Sequence, residues 1–235
     1  MKNIFKEYYS QVTCQEEPKV MIRNHFSALS LFISGILFVL YPAIRPFSDE
    51  SSLEGAAAFA STEWLIAHIC AIIAFTLLPL GILGLHILMK GTVLKSLTHS
   101  SLVLCILGIG FTLPFYGGET YGLHAIGLEA VSQHNTELVT MANVVRSGPG
   151  LILFIIGLLL LAASSIIVAI TIWKSGTHQK WSGIPFALGI SLFLPQFFAG
   201  QPLRVAHGFL VFLGCVLISF YLRRQFVLNQ AKENQ

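Results

Sequence analysis

The stretch SGPGLILFIIGLLLLAASSIIVAITIW, residues 147–173, contains no Asp, Glu, Lys or Arg. A bilayer core about 30 Å thick is crossed by about 20 apolar residues of α-helix, because hydrocarbon offers backbone N–H and C=O groups no partners and a helix satisfies them internally. Five further stretches are equally free of charge: 24–44, 64–89, 96–118, 181–203 and 205–222. The last two meet at Arg204, which demands a tight turn. No polar alternation of period two runs through them, so a barrel of short strands is excluded. The expected fold is all-α: a polytopic integral membrane protein, a six-span helical bundle embedded in the lipid bilayer.

Composition agrees. Of 235 residues, 54% are hydrophobic and 11% charged, whereas a soluble domain carries about 25% charged residues to cover its surface. Eighteen Phe exclude disorder, and four Cys are too few for a disulfide-stapled scaffold. Cys70, Cys105 and Cys215 fall inside spans and Cys14 lies near the N-terminus, so no extracytoplasmic disulfide is expected. The run at 24–44 is too long for the core of a signal peptide and reads as a retained span.

Basic residues set the orientation. Eleven of fourteen Lys and Arg lie in 1–23, in the turns near 90–95 and 174–180, and in 223–235; only Arg45, Arg146 and Arg204 lie at the opposite ends of the spans. By the positive-inside rule both termini are cytoplasmic, as expected in a plasma or cytoplasmic membrane. Seven of the eleven carboxylates sort to the arginine side. The basic cytoplasmic face suits anionic lipid, and no nucleic-acid partner is expected.

The one long connection, 118–146, carries apolar residues at helical spacing: Leu123, Ile126, Ala130 and Val131, then Leu138, Met141, Ala142 and Val145. Short amphipathic helices roofing the outer end of the bundle would explain it, with Thr120 and Asn135 as N-caps. Within the spans, Ser30, Ser34 and Gly35, then Gly108 and Gly110, Ala162 to Ser165, and Gly208 and Gly214 are small enough to let helices approach. Pro79 and Pro195 each remove a helix hydrogen bond and predict kinks.

The candidate chemistry gathers on the arginine side. His68 lies one turn inside its span and His207 lies three residues past Arg204, so their imidazoles enter at equal depth. The segment Tyr116-Gly117-Gly118-Glu119-Thr120-Tyr121-Gly122-Leu123-His124 sets three glycines around a carboxylate and an imidazole, and these glycines predict a sharp turn. Arg146 and Arg204 border the same face and are costly near hydrocarbon unless paired, Glu119 being the expected partner. His68, Glu119, His124 and His207 therefore form the candidate site, a pocket for a small ligand or a divalent metal such as Zn²⁺ or Fe²⁺. Two other functions fit the pattern: a b-type haem electron carrier ligated by His68 and His207, and a structural or regulatory subunit with no site. His86 and His99 match in depth at the lysine side. Nucleophile elbows, H-E-x-x-H and glycine-rich phosphate loops are missing, so no reaction is assigned.

Overall fold

The computed structural model describes residues 25–177 and 179–233; the segment 1–23 and His178 lie outside them. The described residues are helical, without a strand, and five helices are long and apolar enough to cross a membrane: His25–Ile44, Thr62–Leu88, Lys95–Gln133, Gly148–Lys174 and Gln201–Asn229. That is the mark of an integral membrane protein. In chain order the elements are α1 (His25–Ile44), α2 (Leu53–Ala60), α3 (Thr62–Leu88), α4 (Lys95–Gly117), α5 (Leu123–Gln133), α6 (Met141–Val145), α7 (Gly148–Lys174), α8 (Ile184–Ser191) and α9 (Gln201–Glu233).

Two expectations are corrected. The helix of the third span does not end at residue 118. It runs on through a π turn at Gly118–Gly122 directly into α5, reaching Gln133. The glycines there do not produce a sharp turn, and Thr120 is no N-cap: its hydroxyl donates to the Tyr116 carbonyl at 2.6 Å within the helix. Asn135 does cap, accepting from the Glu137 N–H at 2.9 Å at the start of the 3-10 turn Thr136–Thr140, and α6 follows. His134 takes a left-handed φ of 52° to end α5.

The stretch 181–203 is the second correction, because it is not one helix with a kink. α8 ends at Ser191, and a 3-10 turn occupies Pro195–Phe198, where proline starts a new turn instead of bending an old one. The broken segment still runs back along α7, with Gly183 against Ala169 at one end and the Phe197 ring 5.7 Å from that of Phe154 at the other. Pro79 and Pro114 sit inside α3 and α4, neither of which is interrupted at its proline.

Small residues bring the helices close. A Cβ on Gly108 would stand 2.8 Å from the Gly157 carbonyl oxygen, and one on Gly157 would stand 2.7 Å from the Gly108 carbonyl oxygen. Two turns away Ser101 and Ser164 exchange hydroxyl bonds with each other's carbonyl groups at 3.0 and 2.8 Å. Ser34 donates to the Ala74 carbonyl at 2.8 Å, tying α1 to α3. Gly35 meets Phe212 and Cys215, and Gly208 meets the backbone of Phe38. Gly110 does none of this, since nothing lies within 4 Å of where its Cβ would be. The centre is an aromatic ladder: Phe38, Phe75 and Phe193 meet edge to face, and Tyr116 joins Phe75 at 5.5 Å. Cys70, Cys105 and Cys215 are free thiols.

The same substitution should have opposite signs at the two kinds of glycine. Gly110→Ala should raise the thermal unfolding midpoint in detergent, gaining about 0.5–1 kcal/mol of helix propensity. Gly157→Ala should lower it by more than that gain, because its methyl drives into α4. Equal shifts of one sign would contradict the packing.

Candidate functional site

The arginine end of the bundle is built on a chain of alternating charges. The loop after α1 supplies Arg45 and Glu50, the π turn supplies Glu119, and the residue after α6 is Arg146. Arg146 grips Glu119 with two parallel bonds, Nε to Oε1 at 2.5 Å and Nη2 to Oε2 at 2.9 Å, and its remaining nitrogen, Nη1, bonds Glu50. The other oxygen of Glu50 accepts from Arg45. Two cations and two carboxylates thus cancel. Such fork-to-fork pairing is the strong form of ion pair, and a partly buried carboxylate and guanidinium need it.

The local sequence explains how Glu119 reaches inward. A π turn closes with the Leu123 N–H on the Gly118 carbonyl, five residues back, and rotates Glu119 and Thr120 both to the interior. The Glu119 carbonyl is taken up by the indole N–H of Trp64 at 2.8 Å. Trp64 is fully buried and held at the start of α3, where the Ser61 hydroxyl accepts from its backbone N–H at 3.1 Å. π bulges in long helices concentrate at functional sites, where the displaced side chain is useful.

His68 lies beneath this chain. Its Nδ1 is 2.8 Å from the Trp64 carbonyl, so Nδ1 carries the proton and Nε2 presents a lone pair, 3.9 Å from Oε2 of Glu119. The rings of Trp64, Tyr41 and Tyr116 surround it at 4.2, 5.3 and 6.3 Å. Tyr116 is buried against Tyr41, their ring centres 5.9 Å apart, and Nε of Arg45 is buried without a hydrogen-bond partner.

Charge is held firmly outside the spans. Burial is the largest influence on Arg146 and opposes its charge, yet the bonds and charges of Glu119 and then Glu50 outweigh it and raise its pKa. Burial likewise pushes the Glu50 carboxyl up, but Arg45 and Arg146 together hold it below its ordinary value. A depressed carboxylate contributes stability that is present above the unfolded pKa and lost as pH falls through the folded one, so acid loosens this chain.

The other sequence candidates lie elsewhere. His124 bonds the Phe59 carbonyl through Nδ1 at 2.8 Å and ties α5 to α2. The Nε2 of His207 bonds the Gly189 carbonyl at 2.7 Å. Its ring touches Phe193, and one run of ring contacts leads from there through Phe75 and Tyr116 to His68. Arg204 donates to the carbonyls of Ala199 and Phe197 at 2.9 and 2.6 Å and shares the Phe47 ring with Arg45. Among the described residues no three His, Cys, Asp or Glu side chains converge as a metal site. His86 and His99 do come together, with ring centres 5.7 Å apart. Sequence reasoning missed Arg45, Glu50 and Trp64 as members of the cluster. Arg45, one of only three arginines on its side, was the available signal.

Beside the ion chain lies a hollow of about 320 Å³, lined by Asp49, Glu50, Ser51, Val139, Thr140, Ala142, Asn143 and Arg146. No protein-family description matches the chain, nor does any curated protein or solved structure.

A double-mutant cycle checks the ion chain. Arg146→Met should cost about 3 kcal/mol in unfolding free energy because it strands the partly buried Glu119, and Glu119→Gln should cost less because Arg146 keeps Glu50. Together they should cost less than the sum, by about 1 kcal/mol or more. Strict additivity would mean that the pair contributes nothing.

Proposed function

We propose that the chain is a plasma- or cytoplasmic-membrane protein of six crossings with both termini cytoplasmic, and that its outer-side His/Glu/Arg cluster borders a pocket binding a small ligand. The observation that carries the pocket is the hollow of about 320 Å³ opening onto Glu50 and Arg146. Its size falls at the lower end of the range of small-molecule sites, and its lining is mostly polar, with Val139 and Ala142 as the apolar part. Arg146 joins the hollow to Glu119, whose Oε2 lies 3.9 Å from Nε2 of His68. Ionisable residues within a membrane domain are costly and are a functional-site hypothesis by default.

What supports the sixth crossing is the course of 181–203 along α7. Discontinuous helices are tolerated at membrane depth where protein surrounds them. An even number of crossings also keeps the basic segments on one side. With the four native cysteines replaced, single cysteines at Gln133 and Gln179 should differ in intact cells: an impermeant thiol reagent should label position 133 and spare position 179. Labelling at 179 would overturn the topology.

For the pocket, the purified protein in detergent is titrated with glycine, glucose, butyrate, butylammonium, zinc chloride and calcium chloride while its thermal midpoint is followed. At least one should raise the midpoint saturably, as ligands that bind only the native state must. Asn143→Phe, an exposed position whose new ring fills the hollow, should abolish that rise. If no compound gives a saturable rise lost in this variant, the pocket reading falls and a structural membrane subunit takes its place.

A further inference from the structure

We infer that the ligand of this hollow is a small protonated amine, a conclusion that rests on the pocket reading above and deepens it. Most of the charges and hydroxyl protons of its lining are already committed to one another. Arg146 is the only cation there, and each of its three nitrogens already bonds a carboxylate oxygen, two on Glu119 and one on Glu50. Glu50 in turn spends one oxygen on Arg146 and the other on Arg45. These four charges balance, so the hollow's uncompensated charge is Asp49, which forms no ion pair among the described residues. The Ser51 hydroxyl and backbone N–H donate to Asp49 and lower its pKa, so it is ionised at neutral pH.

The hydroxyls tell the same story. Ser51 gives its proton to Asp49 Oδ1 at 2.6 Å, and Thr140 gives its proton to the Glu137 carbonyl at 2.6 Å. Both oxygens are left with lone pairs only. Of the side chains lining the hollow, the Asn143 amide is the one uncharged group that still has protons to offer. The wall therefore presents acceptors and net negative charge, and what satisfies it is a cation with several N–H donors. Val139 and Ala142 supply an apolar floor for a short carbon body. A carboxylate ligand would meet Asp49 and Glu50, and the Arg146 charge that could offset them is already matched by Glu119 and Glu50.

The test uses the full-length protein in detergent at constant ionic strength, comparing butylammonium chloride, tetramethylammonium chloride, sodium butyrate and calcium chloride by thermal midpoint. Butylammonium should give a saturable rise, tetramethylammonium, which lacks N–H donors, little or none, and butyrate and calcium none. Asp49→Asn, at an exposed loop position, should raise the half-saturating butylammonium concentration about tenfold, the effect of losing one charge-assisted hydrogen bond. A saturable rise with butyrate or calcium alone, abolished by Asn143→Phe, would overturn the amine and leave the pocket standing. An equal response to tetramethylammonium, or an Asp49→Asn variant with unchanged half-saturation, would overturn recognition by N–H donation to Asp49. Silence from all four compounds overturns the amine, and the wider titration with glycine, glucose and zinc then decides the pocket.

Discussion

A carboxylate set into the interior of a long apolar helix has few options, since water is scarce and hydrocarbon solvates no charge. Glu119 is in that position on the helix Lys95–Gln133, and Arg146 answers it from a point 27 residues further along the chain. The arginine answers Glu50 as well, and Glu50 answers Arg45. In this way the loop after α1, the π turn and the segment before α7 are held in one electroneutral chain. An unpaired member would cost several kcal/mol in such surroundings, so the pairing dictates where these elements sit. The hollow beside Arg146 exists because the loop carrying Glu50 is held against α6.

The π turn is the local device that makes the pairing geometrically available. An uninterrupted α-helix would rotate residues 119 and 120 by its usual 100° steps, and inserting one residue into the turn changes which side chains face inward. Of the glycines there, only Gly118 marks a close approach, a Cβ on it lying 3.2 Å from Val145, while nothing lies within 4 Å of one on Gly117. The Trp64 indole then takes the Glu119 carbonyl, so the distorted backbone leaves no acceptor stranded there. His68, one turn further along α3, donates from Nδ1 to the Trp64 carbonyl, and its other ring nitrogen lies 3.9 Å from an oxygen of the same carboxylate. One tryptophan thus orients both partners of the cluster's inner half.

Packing below the cluster is of a different kind. Hydrophobic burial does not drive helix association in lipid, and close approach through small residues takes its place. α4 and α7 meet at Gly108 and Gly157 and exchange serine hydroxyl bonds at Ser101 and Ser164. Edge-to-face rings fill the middle of the bundle and separate His207 from His68. His207 instead braces the broken segment, its Nε2 on the Gly189 carbonyl where α8 and α9 cross.

Uncharged length alone determined that this chain is helical and made for a membrane, because the bilayer's thickness and its inability to hydrogen-bond act on each segment independently. Residue type also determined that Glu119 needs a cation, since the cost of an unpaired charge is local. Which cation it would be, and which histidine would join it, was decided by tertiary structure. Helix rise reports depth but not azimuth, so the sequence could not show that the rings of Tyr116, Phe75 and Phe193 link His68 to His207. The continuation of α4 through Gly118–Gly122 was equally hidden, because three glycines serve a π turn as readily as a sharp one and only the Trp64 indole distinguishes them. Pro195 marked a disturbance in this stretch, but whether it would be a kink or a break after Ser191 was decided with its packing on α7 and α9. The hollow was illegible too, since its walls come from two segments about ninety residues apart, brought together by Arg146 and by the packing of Ala56 and Phe59 with Val139 and Ala142.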